Sequence, residues 1–216
     1  MSRRISLAAR GEVVHPVPGR CASVVVPLIA HPEFGPALVV SERSLVNGHN
    51  GRPMSNAGEV VLFGGSIEPG ETPDEAALRE LAEESGTGHL LADRDYRIVT
   101  ELGRWTTESG FAVTGFLGRV PHAFAAEAVP EAREVARIAY LPLPAVYAAP
   151  VVDEYHLVRQ TDRTLTLPGE VLFESPTLRV DAANHDGEWV LWGLAGFMVQ
   201  RLRERFVDAD ALRALA

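Results

Sequence analysis

Residues Gly65 to Thr87 read GSIEPGETPDEAALRELAEESGT, a glycine-bounded loop and helix holding seven acidic residues and one base. Thr72 is a good N-cap, Pro73 suits the first helical position, and Glu75 stands where a capping box needs its carboxylate, so a helix is expected to begin there. Gly86 supplies the stop. At about 100° per residue, Leu78, Leu81, Ala82 and Ser85 share one side, and Glu80, Glu83 and Glu84 share the opposite side. One face is expected to pack and the other to carry three carboxylates.

Like charges three or four residues apart destabilise a bare helix by about 0.2–0.5 kcal/mol per pair, so a compensating cation is expected. Hard oxygen ligands clustered this way suit Mg²⁺ or Mn²⁺, which bind through a few carboxylates, retained waters and the phosphate oxygens of a substrate. Arg79 lies four residues from both Glu75 and Glu83 and can orient the cluster without being a ligand.

Gly65, Glu71, Arg79, Glu80, Leu81, Glu83, Glu84 and Gly86 match Gly, five residues, Glu, seven residues, Arg-Glu-aliphatic-any-Glu-Glu-any-Gly. This stretch resembles the Nudix box, the signature of Nudix hydrolases. Thr87 alone departs, standing where an aliphatic residue is usual; it is expected to weaken packing after the helix and leave the ligands alone. The resemblance implies metal-dependent cleavage of a phosphoanhydride in a nucleoside diphosphate linked to another group. Divalent ions would neutralise the diphosphate and lower the pKa of bound water. Glu80 and Glu84 are the first expected ligands, with Glu83 close behind or bridging through water. Glu71 is expected to support the loop or bind a further ion. Family members carry the catalytic base on the box helix or on a downstream loop, where Glu127, Glu131 and Glu134 are the candidates here.

The substrate is read from stretches outside the box. Val40-Ser41-Glu42-Arg43-Ser44, Gly58-Glu59-Val60 leading to Phe63-Gly64-Gly65, Glu134-Val135-Ala136 with Leu141-Pro142-Leu143, and Trp192-Gly193-Leu194-Ala195 resemble the coenzyme A pyrophosphatase branch. That resemblance implies hydrolysis of coenzyme A or an acyl derivative to 3′,5′-ADP and a phosphopantetheine. Arg43, Gly64 and Gly65 would meet the substrate, Arg43 because a fixed guanidinium can bind phosphate. Two departures stand out: the branch usually has Phe-Pro-Gly-Gly before the box where this chain has Leu62-Phe63-Gly64-Gly65, and the loop from Asn47 to Asn56 is expanded, with His49 a candidate ligand contact. ADP-ribose or a dinucleotide is the alternative substrate class, and a nucleotide-sensing module without turnover the alternative function.

Length and composition fit one enzyme domain over residues 1–216, with a core at about 20–145 and a C-terminal extension at about 146–216. The formal charge of −9 is concentrated in the box, no basic stripe marks a nucleic-acid binder, and 46% hydrophobic residues exclude a largely disordered chain. Cys21 is alone, so no intramolecular disulfide forms, and it reads as a small buried apolar residue. The basic start MSRR is interrupted before a signal-peptide core can form, no run reaches membrane-spanning length, and the cytoplasm is the expected setting.

Apolar β-branched runs at Ala22–Ala30, Ala37–Ser41, Val60–Phe63, Tyr96–Trp105, Phe111–Val120 and Val135–Leu143 read as strands, the fourth and fifth as a hairpin around Thr106–Gly110. Their order around the box resembles the Nudix fold, an α/β architecture with a mixed sheet between helices and a loop-helix-loop motif. Trp192, Ala195, Gly196, Val199, Leu202 and Phe206 recur at helical spacing. Gly193 and Gly196 would let that helix approach a neighbour closely, a second subunit of a homodimer included.

Overall fold

The computed structural model describes residues 4–6, 18–46, 51, 56–107, 110–159 and 170–216. His49 and most of the 45–57 loop lie outside the described residues. After a short β1 (Arg4–Ser6), β2 (Cys21–His31) and β3 (Gly35–Arg43) form the expected pair of apolar strands, each longer than its β-branched run. Val25 and Ile29 of β2 face one core, while Val26 and Leu28 face another. A strand buried on both faces reads as a continuous apolar run because both sides must be dehydrated.

Beside their turn, β2 and β3 pair from Leu28–His31 to Gly35–Leu38. Farther from it they part, and the gap is filled by β4 (Val60–Val61) on β3 and β5 (Phe63–Ser66) on β2. The single strand expected over Val60–Phe63 is thus two short strands, with Gly64 and Gly65 inside the second. After the box helix α1 (Pro73–Glu84) and a 3₁₀ turn at Gly88–Leu90, β6 (Arg97–Thr106) and β7 (Ala112–Arg119) make the expected hairpin, and β7 lies parallel to β2. A single helical turn, α2 (Phe124–Glu127), precedes β8 (Val135–Pro142), which pairs with the outer edge of β3. These seven strands make one mixed sheet.

Helix α1 covers one face of that sheet, packing Ala77 and Leu81 with Val25, Ile29, Phe63 and Phe116. The opposite face is covered by α3 (Leu143–Ala148), β9 (Val152–Arg159), β10 (Glu170–Asp181), β11 (Glu188–Leu191), α4 (Gly193–Arg205) and α5 (Ala209–Arg213). There Met198, Val199 and Leu202 of α4 join Leu178, Val180 and Leu191 against Val26, Leu28 and Leu117. The sandwich expected from the chain order is present, with one addition: β1, β9 and β11 pair with β10 in a second, four-stranded sheet.

One expectation is met within the chain and one is corrected. Gly196 does permit a close approach, but within the chain: a Cβ there would lie 2.0 Å from the Pro176 carbonyl oxygen of β10. A second subunit gains no support from it. Cys21 is exposed at the start of β2, where the strand has not yet entered the core. Among the described residues no helix is long and apolar enough to cross a membrane.

Candidate active site

The box helix starts as the sequence dictates. Glu75 accepts the Thr72 N–H at 2.9 Å and the Thr72 hydroxyl at 2.7 Å, the reach-back of a capping box. It ends in a Schellman motif, with Gly86 at φ +66°, its N–H donated to the Glu83 carbonyl at 3.3 Å and the Thr87 N–H to the Ala82 carbonyl at 2.9 Å. Thr87 does not weaken the packing there. It is fully buried, with its hydroxyl 2.7 Å from Ser85 Oγ and 3.1 Å from the Tyr96 hydroxyl, a polar chain in place of an aliphatic contact. Burial pushes the Tyr96 phenol up to about 12.

Because Glu75 is engaged at the cap, Arg79 does not pair with it. Arg79 instead donates Nε and Nη2 to the two oxygens of Glu71 at 2.8 and 3.1 Å, and Nη2 also to the Ser66 carbonyl at 3.1 Å. Its Nη1 reaches Glu80 at 2.9 Å and Glu83 at 3.3 Å. A planar five-donor fork can serve that many acceptors at once, which an ammonium could not. The bidentate bond from Arg79 holds the Glu71 carboxyl below the usual range, and the Glu68 N–H assists. Glu71 therefore sits as a support of the loop and of Arg79.

The three box carboxylates do not share one solvated face. Glu83 is exposed, Glu80 is half-buried, and Glu84 is only 6% exposed. Glu84 accepts the Gly64 N–H at 3.1 Å from the neighbouring strand β5. Burial pushes its carboxyl up to about 8, against the Gly64 hydrogen bond and the Arg43 charge that favour ionisation. Burial raises Glu80 as well, opposed by Arg79. Glu83 and Glu84 also stand at the negative end of the helix dipole, in a last turn without a base. A divalent cation bound between the Glu80 and Glu84 carboxyls would favour their ionised forms.

Gly65 makes room for this cluster, and Gly64 for the close pairing of β5 with β2. A Cβ on Gly65 would meet the Glu80 carboxylate at 2.3–2.8 Å, and one on Gly64, at φ +156°, would meet the Ser23 carbonyl oxygen at 2.3 Å. Arg43, the last residue of β3, places Nη2 3.8 Å from the Glu134 carboxylate just before β8. The charges of Arg43 and Glu134 are both felt at Glu84. Arg43, Gly64, Gly65, Arg79, Glu80, Glu83, Glu84 and Glu134 are thus gathered at one end of α1. The other downstream acids are elsewhere engaged: Glu127 pairs with His89, and Glu131 accepts the Arg133 N–H at 3.1 Å. Sequence reading gave no role to Ser44, which grips the Glu134 segment; its place in the Arg43-Ser44 pair was the available signal.

The donor set suits a hard divalent ion, three carboxylates with glycine backbone alongside. Among the described residues no three His, Cys, Asp or Glu side chains already converge as a finished cage, since Arg79 holds Glu80 and Glu83. A separate cleft of about 400 Å³, lined by Cys21, Ile67, Pro73, Trp105 and Thr114 among others, touches the box loop but none of these carboxylates.

The NUDIX domain profile matches residues 20–160, well over half of the sequence. The chain belongs to the NUDIX domain family. It is a pyrophosphohydrolase by class, in a family whose hydrolases generally use divalent metal ions. Among solved structures, a MutT/nudix family protein from Enterococcus faecalis aligns over 95% of this chain and 70% of its own, with 13% identity and a TM-score of 0.50, which shows the fold. An Ap4A hydrolase from C. elegans, solved as a binary complex, aligns over 57% of this chain and 80% of its own at 15% identity and a TM-score of 0.42. The NUDIX domain of Shewanella oneidensis NrtR, complexed with ADP ribose, aligns over 62% and 79% at 15% identity and a TM-score of 0.44. No curated protein matches the Nudix chain in sequence.

Proposed function

We propose that this Nudix protein hydrolyses the diphosphate of coenzyme A or an acyl-coenzyme A, giving 3′,5′-ADP and the corresponding phosphopantetheine, with Mg²⁺ or Mn²⁺. The observation that carries the reaction is the buried Glu84 carboxyl beside half-buried Glu80, two acids that a divalent ion would keep ionised. Glu80 and Glu84 would hold that ion, with Glu83 at the exposed margin. When bound, it supplies charge neutralisation for the diphosphate and acidifies water.

The chain's own residues have distinct tasks in this reading. Arg79 keeps Glu80 and Glu83 oriented through its bonds to both and its anchor on Glu71. Gly65 leaves the room that the Glu80 carboxylate occupies, and Gly64 lets β5 lie against Ser23 while its N–H holds Glu84. Among the described residues Arg43 has one loose ion-pair partner, Glu134, and about a quarter of its side chain is exposed, which leaves guanidinium donors for a phosphate. Glu134 is the base candidate, because it alone of the three downstream acids stands beside Arg43 and within electrostatic reach of Glu84 and Glu80.

The coenzyme A assignment is favoured by two resembling stretches meeting in space. Arg43 donates its N–H to the Glu59 carbonyl at 2.9 Å, and its carbonyl accepts the Gly58 N–H at 3.0 Å. The Arg43-Ser44 pair and the Gly58-Glu59-Val60 approach therefore form one rim above the box. ADP-ribose and dinucleotides are the competing substrates, since they offer the same diphosphate. Incubation with coenzyme A, acetyl-coenzyme A, ADP-ribose and diadenosine tetraphosphate in Mg²⁺ or Mn²⁺, followed by product analysis, tests the reading. Release of 3′,5′-ADP from coenzyme A is the expected result; AMP from ADP-ribose alone would replace the substrate, and binding without turnover would leave a sensor.

A further inference from the structure

Ser44 follows Arg43 at the end of β3 and is 7% exposed. Its N–H donates to the Glu134 carbonyl at 2.8 Å, and its hydroxyl donates to the Ala132 carbonyl at 3.1 Å. One side chain and its own amide thus hold two carbonyls of the segment that leads from α2 into β8. The other end of that segment rests on α1, where the Val129 N–H donates to the Ser85 carbonyl and the Glu131 N–H to the Glu84 carbonyl, both at 2.9 Å. Those carbonyls belong to the set that a helix C-terminus leaves without partners.

Between these two anchorages the segment is closed on itself, with the Glu134 and Val135 N–H groups donating to the Glu131 carbonyl at 3.0 and 2.8 Å. A bulge completes the arrangement: Glu42 pairs with Arg137 but Arg43 with Val135, so β8 carries one extra residue where it leaves the segment. Bulges of this kind re-aim side chains. Here the result is the Glu134 carboxylate beside Arg43.

We propose that Ser44 is a positioning residue of this hydrolase, holding the 129–134 segment against the end of α1 so that Glu134 stays beside Arg43 and the box carboxylates. The inference rests on the reading of Glu134 as a participant in the reaction. Its hydroxyl is the decisive atom, because the Ser44 amide would keep its bond in any variant while the Ala132 carbonyl would lose its donor. The β3–β8 ladder runs from Ala37 with Pro142 to Arg43 with Val135 without using that hydroxyl. Its loss therefore loosens the segment and leaves the sheet in place.

Ser44→Ala, Ser44→Thr, Glu134→Gln and the double variant Ser44→Ala/Glu134→Gln test this. In Ser44→Ala, amide hydrogen exchange across 128–135 should rise about fivefold, the scale of one hydrogen bond, with α1 unchanged. On whichever of coenzyme A, acetyl-coenzyme A, ADP-ribose and diadenosine tetraphosphate the wild type cleaves fastest, kcat should fall by at least about fivefold with KM within about twofold. Ser44→Thr should restore it. In the Glu134→Gln background Ser44→Ala should add nothing. Unchanged exchange, or an equal loss in both backgrounds, overturns the positioning role. Full activity of Glu134→Gln instead overturns the reading beneath it, an outcome separable because the exchange result needs no turnover.

Discussion

Gly65 lies so close to Glu80 that a Cβ added to the glycine would come within 2.3 Å of the Glu80 Oε1 atom, whereas one added to Gly64 would strike the Ser23 backbone. The two glycines thus separate site from scaffold. Gly65→Ala meets only the end of a side chain that can swing away, so folding should change little while Glu80 is displaced. Gly64→Ala meets backbone at a left-handed φ and should lower stability by about 1–3 kcal/mol. Thermal melts and Mn²⁺ titrations of both variants check this: similar melting for the pair, or normal metal affinity in Gly65→Ala, would contradict it.

Glu84 is expected to show opposing effects on stability and activity. Its carboxyl is buried with one backbone donor and no ion pair among the described residues, which favours a neutral group in the metal-free protein. Glu84→Gln should therefore leave the apoprotein as stable or raise its melting temperature, while turnover falls by at least about a hundredfold. Glu80→Gln should lose turnover on the same scale. A Glu84→Gln enzyme that retains most of its activity would remove Glu84 from the ligand set.

The β2–β3 turn carries its own acid sensitivity. His31 Nδ1 accepts the N–H groups of Glu33 and Phe34, both at 3.2 Å, and its ring stacks on Phe34 at 4.3 Å and tilts against Tyr140 at 4.5 Å. Burial holds its pKa below the usual 6.5, opposed by the nearby Glu33 carboxylate. The unfolded chain therefore binds a proton before the folded one, so this contribution to stability is complete above 6.5 and declines as pH falls from there to the folded value. Urea melts between pH 7.5 and 5 should show that decline, and His31→Asn, which keeps an acceptor for the turn, should flatten it.

Gly196→Ala should be among the more damaging single-methyl changes in the chain. Its Cβ would lie 2.0 Å from the Pro176 carbonyl oxygen, a clash of helix against backbone that no rotamer relieves. A loss of about 1–3 kcal/mol is expected by overpacking. Sedimentation of wild type and variant distinguishes this from a role in assembly: an altered oligomeric state at unchanged stability would put Gly196 at a subunit contact after all.

The legible parts of the molecule are those whose geometry is local. Glu80, Glu83 and Glu84 are near each other because a helix repeats every 3.6 residues, and Thr72, Glu75 and Gly86 mark its ends by their own chemistry. What the sequence hides is the burial of Glu84, which depends on β5 crossing the helix end from twenty residues away. The partner of Arg79 was hidden for a similar reason. At i−4 Glu75 is the nearer acid, but the N-cap captures it, and Glu71 in the loop takes its place. The second sheet escaped because VDEYHLVR and EVLFESPTLRVD scatter acids, bases and a proline among their apolar residues, blurring the period-two signal. Thr87 looked like a defect only because its partners, Ser85 and Tyr96, meet it in three dimensions.

The separation of the two cores has a consequence for the newborn chain. Val26, Leu28, Leu38, Val40, Leu117 and Leu141 face away from α1, and their cover includes Met198, Val199 and Leu202 near the end of the sequence. Translated in order, the box-bearing sheet leaves the ribosome with an oily flank that is sealed only once α4 has been made. Until then the nascent polypeptide is a client for chaperones, and premature termination before α4 would leave that flank open to aggregation.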